Sequence, residues 1–192
     1  MKAAVFLDRD GVLVQDVDLL IRREDMRLLA GVPEALGLLK RAGYSLNVVS
    51  NQTVVARGLA SETEVFALNE HLQHMIEQAG GPHLDGWYFC PHHPKANVPA
   101  YRLNCECRKP QPGMLLRAAR ELDLDLSASF MVGDRITDII AGSAAGCSTI
   151  LVQTGKHLEH PIETVEPIDA SILPDYVCAD LSAAVRWIQV AR

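Results

Sequence analysis

The sequence predicts an α/β fold, a mostly parallel sheet with helices on both faces, and three observations carry that expectation. Short, nearly continuous apolar runs alternate with amphipathic stretches along the chain, as expected for strands buried on both faces. Several of these runs stop abruptly on polar residues, as Leu7 does before Asp8-Arg9-Asp10-Gly11. The 192 residues, 48% hydrophobic and 22% charged, suffice for one domain (1–192) with a sizeable core.

The elements follow in order. "AAVFL" (3–7) reads as the first buried strand. "GVPEALGLLKRAGY" (31–44) has apolar residues at helical spacing, a proline near its start and Gly43 as a stop. "SLNVVSN" (45–51) is the second strand. "SETEVFALNEHLQHMIEQAGG" (61–81) opens with a capping box, Ser61 followed by Glu64, and closes on glycines. "GWYFC" (86–90) is the third strand and "MLLRAARELDL" (114–124) a helix. "SFMVGD" (129–134) is the fourth strand, "ITDIIAGSAAG" (136–146) a helix with small residues on one face, and "STILV" (148–152) the fifth strand. The tail "YVCADLSAAVRWIQVA" reads as a short strand feeding a final helix. There is no internal repeat and no low-complexity tract.

A net charge of −6 argues against a nucleic-acid binder. No apolar run approaches membrane-spanning length and no signal-peptide pattern opens the chain, so a cytoplasmic, soluble protein is expected. Five cysteines is an odd count for a disulfide framework. Cys147 and Cys178 sit alone among apolar or small residues and read as buried structural thiols.

In such sheets ligands bind at the carboxyl ends of the strands. Those ends carry Asp8 and Asp10, then Ser50, Asn51 and Gln52, then Asp134 with Asp138 one helical turn on; Arg108 and Lys109 lie between strands three and four. Three aspartates share a small site only if a hard cation offsets their repulsion, and oxygen-only ligands favour Mg²⁺. With Mg²⁺, Lys109 and Arg108 would hold a phosphoryl group and neutralise its developing charge. An aspartate of the first loop could then serve as nucleophile, and one two residues on as general acid and base. Each piece alone is a common turn or helix cap. Their joint occurrence, each at the carboxyl end of a strand, is what points to a site.

"FLDRDG", "VVSNQ", "CRKP" and "MVGDRITDI" together resemble the four motifs of the haloacid-dehalogenase-like (HAD) phosphohydrolases. With "CPHHP" and "CECRKPQPGML" the resemblance, from about residue 3 to 155, is to the D-glycero-D-manno-heptose 1,7-bisphosphate 7-phosphatases and the related histidinol-phosphate phosphatases. It implies a Rossmann-like sheet of order 5-4-1-2-3. It also implies Asp8 as nucleophile, Asp10 as general acid and base, and Mg²⁺ bound by Asp8, the Asp10 carbonyl and Asp134. Ser50 and Lys109 would stabilise the transferring group, Asn51, Arg108 and Arg135 would contact substrate, and Asp138 would support the site from behind. The dehalogenase branch lacks an acid at the second aspartate, so Asp10 favours phosphoryl transfer. No segment has room for a mobile cap, so an open, capless site is expected, and with it a monomer acting on a small sugar phosphate.

Cys90-x-His92 and Cys105-x-Cys107 frame a twelve-residue loop and offer three sulfurs and an imidazole. That is a full tetrahedral Zn²⁺ shell with no position left for water, which marks a structural rather than a catalytic site. His93 is a rival ligand; the Cys-x-His spacing and the resemblance favour His92. Because Cys107 directly precedes Arg108, zinc in the loop 90–107 is expected to set the Arg108–Lys109 pair against the phosphate.

The sequence also departs from that pattern. The Gly-Tyr of the substrate loop is missing from "QDVDLLI" (15–21), and a Ser-Gly pair is replaced by Thr53-Val54. "GDRITDI" leans toward the histidinol-phosphate branch, whereas the long zinc loop, "CPHHP" and "ARG" lean toward heptose, and the leading expectation is the heptose bisphosphate. Histidinol phosphate or another small phosphomonoester comes second, and a zinc-stabilised phospholigand-binding module without turnover comes third.

Overall fold

The computed structural model describes residues 1–158 and 172–191. A six-stranded parallel sheet runs in the order β3-β2-β1-β4-β5-β6. Its strands are β1 (Lys2–Leu7), β2 (Ser45–Asn51), β3 (Gly86–Cys90), β4 (Leu124–Gly133), β5 (Ser148–Val152) and β6 (Tyr176–Cys178). The five expected strands take the expected order, and the tail strand adds β6 outside β5. The helices are α1 (Val32–Arg41), α2 (Thr53–Ala56), α3 (Glu62–Gln78), α4 (Gly113–Leu122), α5 (Ile136–Ala145) and α6 (Leu181–Val190).

Alternation along β1 divides the core between the two sheet faces. Val5 and Leu7 pack with Leu36, Leu39, Leu72 and Ile188 on one side. Ala4 and Phe6 pack with Met114, Leu115 and Ala141 on the other. From Ala3 on, β1 is thus apolar on both faces, and it meets its next polar side chain at Asp8, just past its end. The Ser61–Glu64 capping box forms as expected and starts α3.

Two boundaries differ from the sequence reading. β4 starts at Leu124 rather than at 129, because its first half is irregular. The register against β1 shifts between Ala3 and Val5, and the Ser129 hydroxyl accepts from Ala4 N at 2.8 Å where a ladder bond would otherwise lie. The polar letters of "LDLSAS" hide that half of the strand. α2 is a single turn after β2, too short for periodicity to register. Among the described residues no helix is long and apolar enough to cross a membrane.

Candidate active site

β1 and β4 are neighbours, so their carboxyl ends place Asp8 beside Asp134, and the first turn of α5 adds Asp138. All three are buried, and one oxygen from each lies within 4.8 Å of the others. Lys109 enters from the far side. Its Nζ stands 2.6 Å from Asp138 Oδ1 and 3.1 Å from Asp8 Oδ2, and donates to the Val49 carbonyl at 2.7 Å. Burial would lower the Lys109 pKa, but Asp138 and Asp8 outweigh it and raise it. Lys109 is therefore a fixed cation between two carboxylates.

The charge does not balance with Lys109 alone. Burial pushes Asp8 up to about 6 against the pull of Lys109, with Asp138 and Asp10 adding to the rise. Burial, then Asp138 and Asp8, push Asp134 up to about 8. Asp134 Oδ2 accepts from Lys156 N at 2.7 Å, while its buried Oδ1 has no hydrogen-bond partner among the described residues. An orphaned carboxylate oxygen amid other acids is costly unless a cation meets it. The donor set, all oxygen, suits Mg²⁺.

The seat of Asp134 is tight. A Cβ on Gly155, or on Gly11 (φ 79°), would run into the Asp134 carboxylate. The Thr154 hydroxyl donates to the Gly11 carbonyl and ties the two walls together. The stretch 154–156 was not foreseen as part of the site. No residue type in it announces a role, because its contributions are a missing side chain at Gly155, a backbone N–H at Lys156 and one hydroxyl bonded to backbone.

The other expected residues converge on the same edge. Ser50 and Asn51 close β2. The Asn51 amide donates to the Lys109 carbonyl at 2.9 Å and accepts from Lys109 N at 3.0 Å, which braces the lysine's backbone. Arg108 donates to the His92 carbonyl at 3.2 Å. Arg135 pairs with Asp16 at 3.4 Å, and Lys156 pairs with Asp18. "QDVDLLI" thus meets the site edge through acidic residues, while its Leu19 packs against the cluster of Val54, Val55 and Val65. Asp10 is 26% exposed at the lip, held by the buried Arg9 at 2.9 Å.

Beside this edge sit Cys90, His92, Cys105 and Cys107. Their contacts run from 3.2 Å between Cys107 and each of the other two sulfurs to 3.7 Å between Cys90 Sγ and His92 Nδ1. A tetrahedral Zn²⁺ with sulfur bonds near 2.3 Å would set such edges at about 3.8 Å, so the group is close to that shape. Hydrogen bonding with Cys90 draws the Cys107 thiol down to about 5, and the same contact raises Cys90. The rival ligand His93 is buried and turns its Nδ1 to Lys95 N at 3.1 Å. Cys147 and Cys178 are buried free thiols, as expected.

Comparison with known proteins agrees with this geometry. The HAD-hydrolase-like family profile matches residues 106–184. A D-glycero-beta-D-manno-heptose-1,7-bisphosphate 7-phosphatase from Photorhabdus laumondii is 42% identical, over 97% of this chain and 96% of its own. A D-glycero-D-manno-heptose-1,7-bisphosphate 7-phosphatase from Thermosynechococcus vestitus is 45% identical over 97% and 95%. The crystal structure of a D,D-heptose 1,7-bisphosphate phosphatase from B. bronchiseptica, complexed with magnesium and phosphate, superposes with a TM-score of 0.81 at 33% identity over the whole of both chains.

Fold and site together define a HAD-type hydrolase of phosphoric monoesters. Within that class, the chain belongs to the D-glycero-D-manno-heptose-1,7-bisphosphate 7-phosphatase family.

Proposed function

We propose that this chain removes the 7-phosphate from D-glycero-D-manno-heptose 1,7-bisphosphate through an aspartyl-phosphate intermediate on Asp8. The observation that carries the reading is the three-carboxylate cradle with Lys109 in it, beside a second loop aspartate, in a chain 42% identical to a heptose bisphosphate 7-phosphatase. An Asp8 oxygen attacks phosphorus as the bond to the sugar oxygen breaks, and Asp10 gives that oxygen its proton. Asp10 then takes a proton from water, whose oxygen attacks the phosphorus and frees Asp8 and inorganic phosphate. Lys109, the Ser50 hydroxyl and Arg108 meet the charge on the phosphoryl oxygens.

Mg²⁺ held by Asp8, the Asp10 carbonyl and Asp134 would supply the remaining positive charge, and the unpartnered Asp134 Oδ1 fits that assignment. In this reading Asn51 and Arg135 contact the sugar or its other phosphate. Zn²⁺ on Cys90, His92, Cys105 and Cys107 is structural in this reading, since four protein donors leave no open position. We read residues 1–192 as one capless domain with the zinc loop 90–107, a monomer acting in the cytoplasm.

Phosphate release with and without Mg²⁺, compared with an Asp8→Asn variant, tests the mechanism. The variant should lose at least about 10³-fold in kcat, and activity surviving in it would refute the assignment. A kcat/KM comparison of both heptose bisphosphate anomers, histidinol phosphate and simple sugar phosphates tests the substrate; a preference for histidinol phosphate would replace the heptose reading.

A further inference from the structure

Arg9 is among the largest fully buried side chains of the protein, 1% exposed and one residue from the proposed nucleophile. Burying a guanidinium is costly unless good partners compensate it, and an apolar replacement of similar volume is often no less stable. Its partners are therefore informative. The backbone N–H of Arg9 donates to Asp8 Oδ1 at 2.7 Å. The guanidinium donates to both Asp10 oxygens, at 2.9 Å to Oδ2 and at 3.2 and 3.3 Å to Oδ1. It also donates to Gln52 Oε1 at 2.8 Å and to Asn69 Oδ1 of α3 at 3.3 Å.

Gln52 is buried too, and its amide orientation follows from its neighbours. A guanidinium cannot accept and a carboxylate cannot donate, so Oε1 must face Arg9 and Nε2 must face Asp10. From there Nε2 donates to Asp10 Oδ2 at 3.1 Å and to Ser50 Oγ at 2.7 Å. Both amide hydrogens are used. Ser50 Oγ is consequently an acceptor toward Gln52, and its own O–H proton is left to point elsewhere.

We propose that Arg9 and Gln52 are positioning residues for phosphoryl transfer. Arg9 fixes the Gln52 amide so that Gln52 donates to Asp10 and Ser50 at once, aiming the Asp10 carboxyl at the departing oxygen and the Ser50 hydroxyl proton at the phosphoryl group. The inference rests on the reading above of Asp10 as the acid and Ser50 as a phosphoryl contact.

The test separates leaving groups. A sugar oxygen needs a proton as it departs, whereas p-nitrophenolate leaves without one. Moreover, kcat/KM reports only the steps through the first phosphoryl transfer. Gln52→Met keeps side-chain length but cannot donate, Gln52→Glu replaces both donors with acceptors, and Arg9→Met removes the clamp. Each should lower kcat/KM on the heptose bisphosphate by about 10²-fold, the lower end of what a positioned general acid contributes. Loss on p-nitrophenyl phosphate should be about tenfold smaller, while Mg²⁺ affinity by calorimetry stays within about twofold.

Equal loss on the two substrates, or no loss, in folded Gln52→Met protein overturns the proposal. If Arg9→Met does not fold, the two Gln52 variants still decide. Asp10→Asn serves as the reference. If it shows no leaving-group dependence, the acid assignment itself fails and the proposal falls with it; if it does and the Gln52 variants do not, only the proposal falls.

Discussion

The chain carries two groups able to hold a metal, and they are built in opposite ways. The sulfur–imidazole group comes from one loop, Cys90 to Cys107, with its four donors already near tetrahedral spacing and three of them half-buried. The carboxylate group joins strand ends far apart in sequence; all three acids are buried, two have raised pKa values, and one oxygen has no partner. The first arrangement has its full set of four donors within the protein. In the proposed function the second is completed by a cation and a phosphate. A saturated group suits holding a loop in place, and an unsatisfied one suits chemistry.

Three experiments would break or sharpen that contrast. The largest effect is expected from Cys107→Ser, which takes one donor from the loop and loosens the chain leading directly to Arg108 and Lys109. Activity should fall about 10- to 100-fold, the range typical when support around a metal or ligand is lost, while the melting temperature drops by only a few degrees. Losses in proportion would mean that the loop serves the fold rather than the site.

Next comes the coupling of pH to Mg²⁺. Asp8 and Asp134 have folded values of about 6 and about 8, raised from 3.8 by burial first. A carboxyl raised on folding binds its proton more tightly in the folded state, so metal-free stability falls as pH climbs between the unfolded and folded values. Mg²⁺ takes the proton's place. The rise in melting temperature on adding Mg²⁺ should therefore be larger at pH 8 than at pH 5, and a rise independent of pH would contradict the cradle's charge deficit. The smallest effect belongs to Asp180→Ala, which removes the cap bond to Ala183 N at the start of α6. It should cost about 1 kcal/mol of stability with activity unchanged, a control for stability loss in the absence of either group.

Legibility in the sequence followed the same division. The loop donors could be read because they are close together and of rare type. The carboxylates could be read only through the sheet rule, which turned four scattered strand ends into one edge. Hidden from the sequence were features whose role depends on burial. The burial of Arg9 is not legible, since arginine is seldom fully buried. Gln52 is legible as part of the β2 end, but not the contacts that orient its amide. The brace that Asn51 gives the Lys109 backbone is likewise invisible in its residue type. The early half of β4 was obscured by its serines, and the short α2 by its length.

The seat of Asp134 has a consequence for protein synthesis. By residue 138 a growing chain already holds every carboxylate of the cradle, and Lys109 as well. The wall at Gly155 and the backbone donor at Lys156 arrive only after β5 has been made. A chain still on the ribosome, or one cut short before that point, should therefore carry all the reactive groups and remain inert.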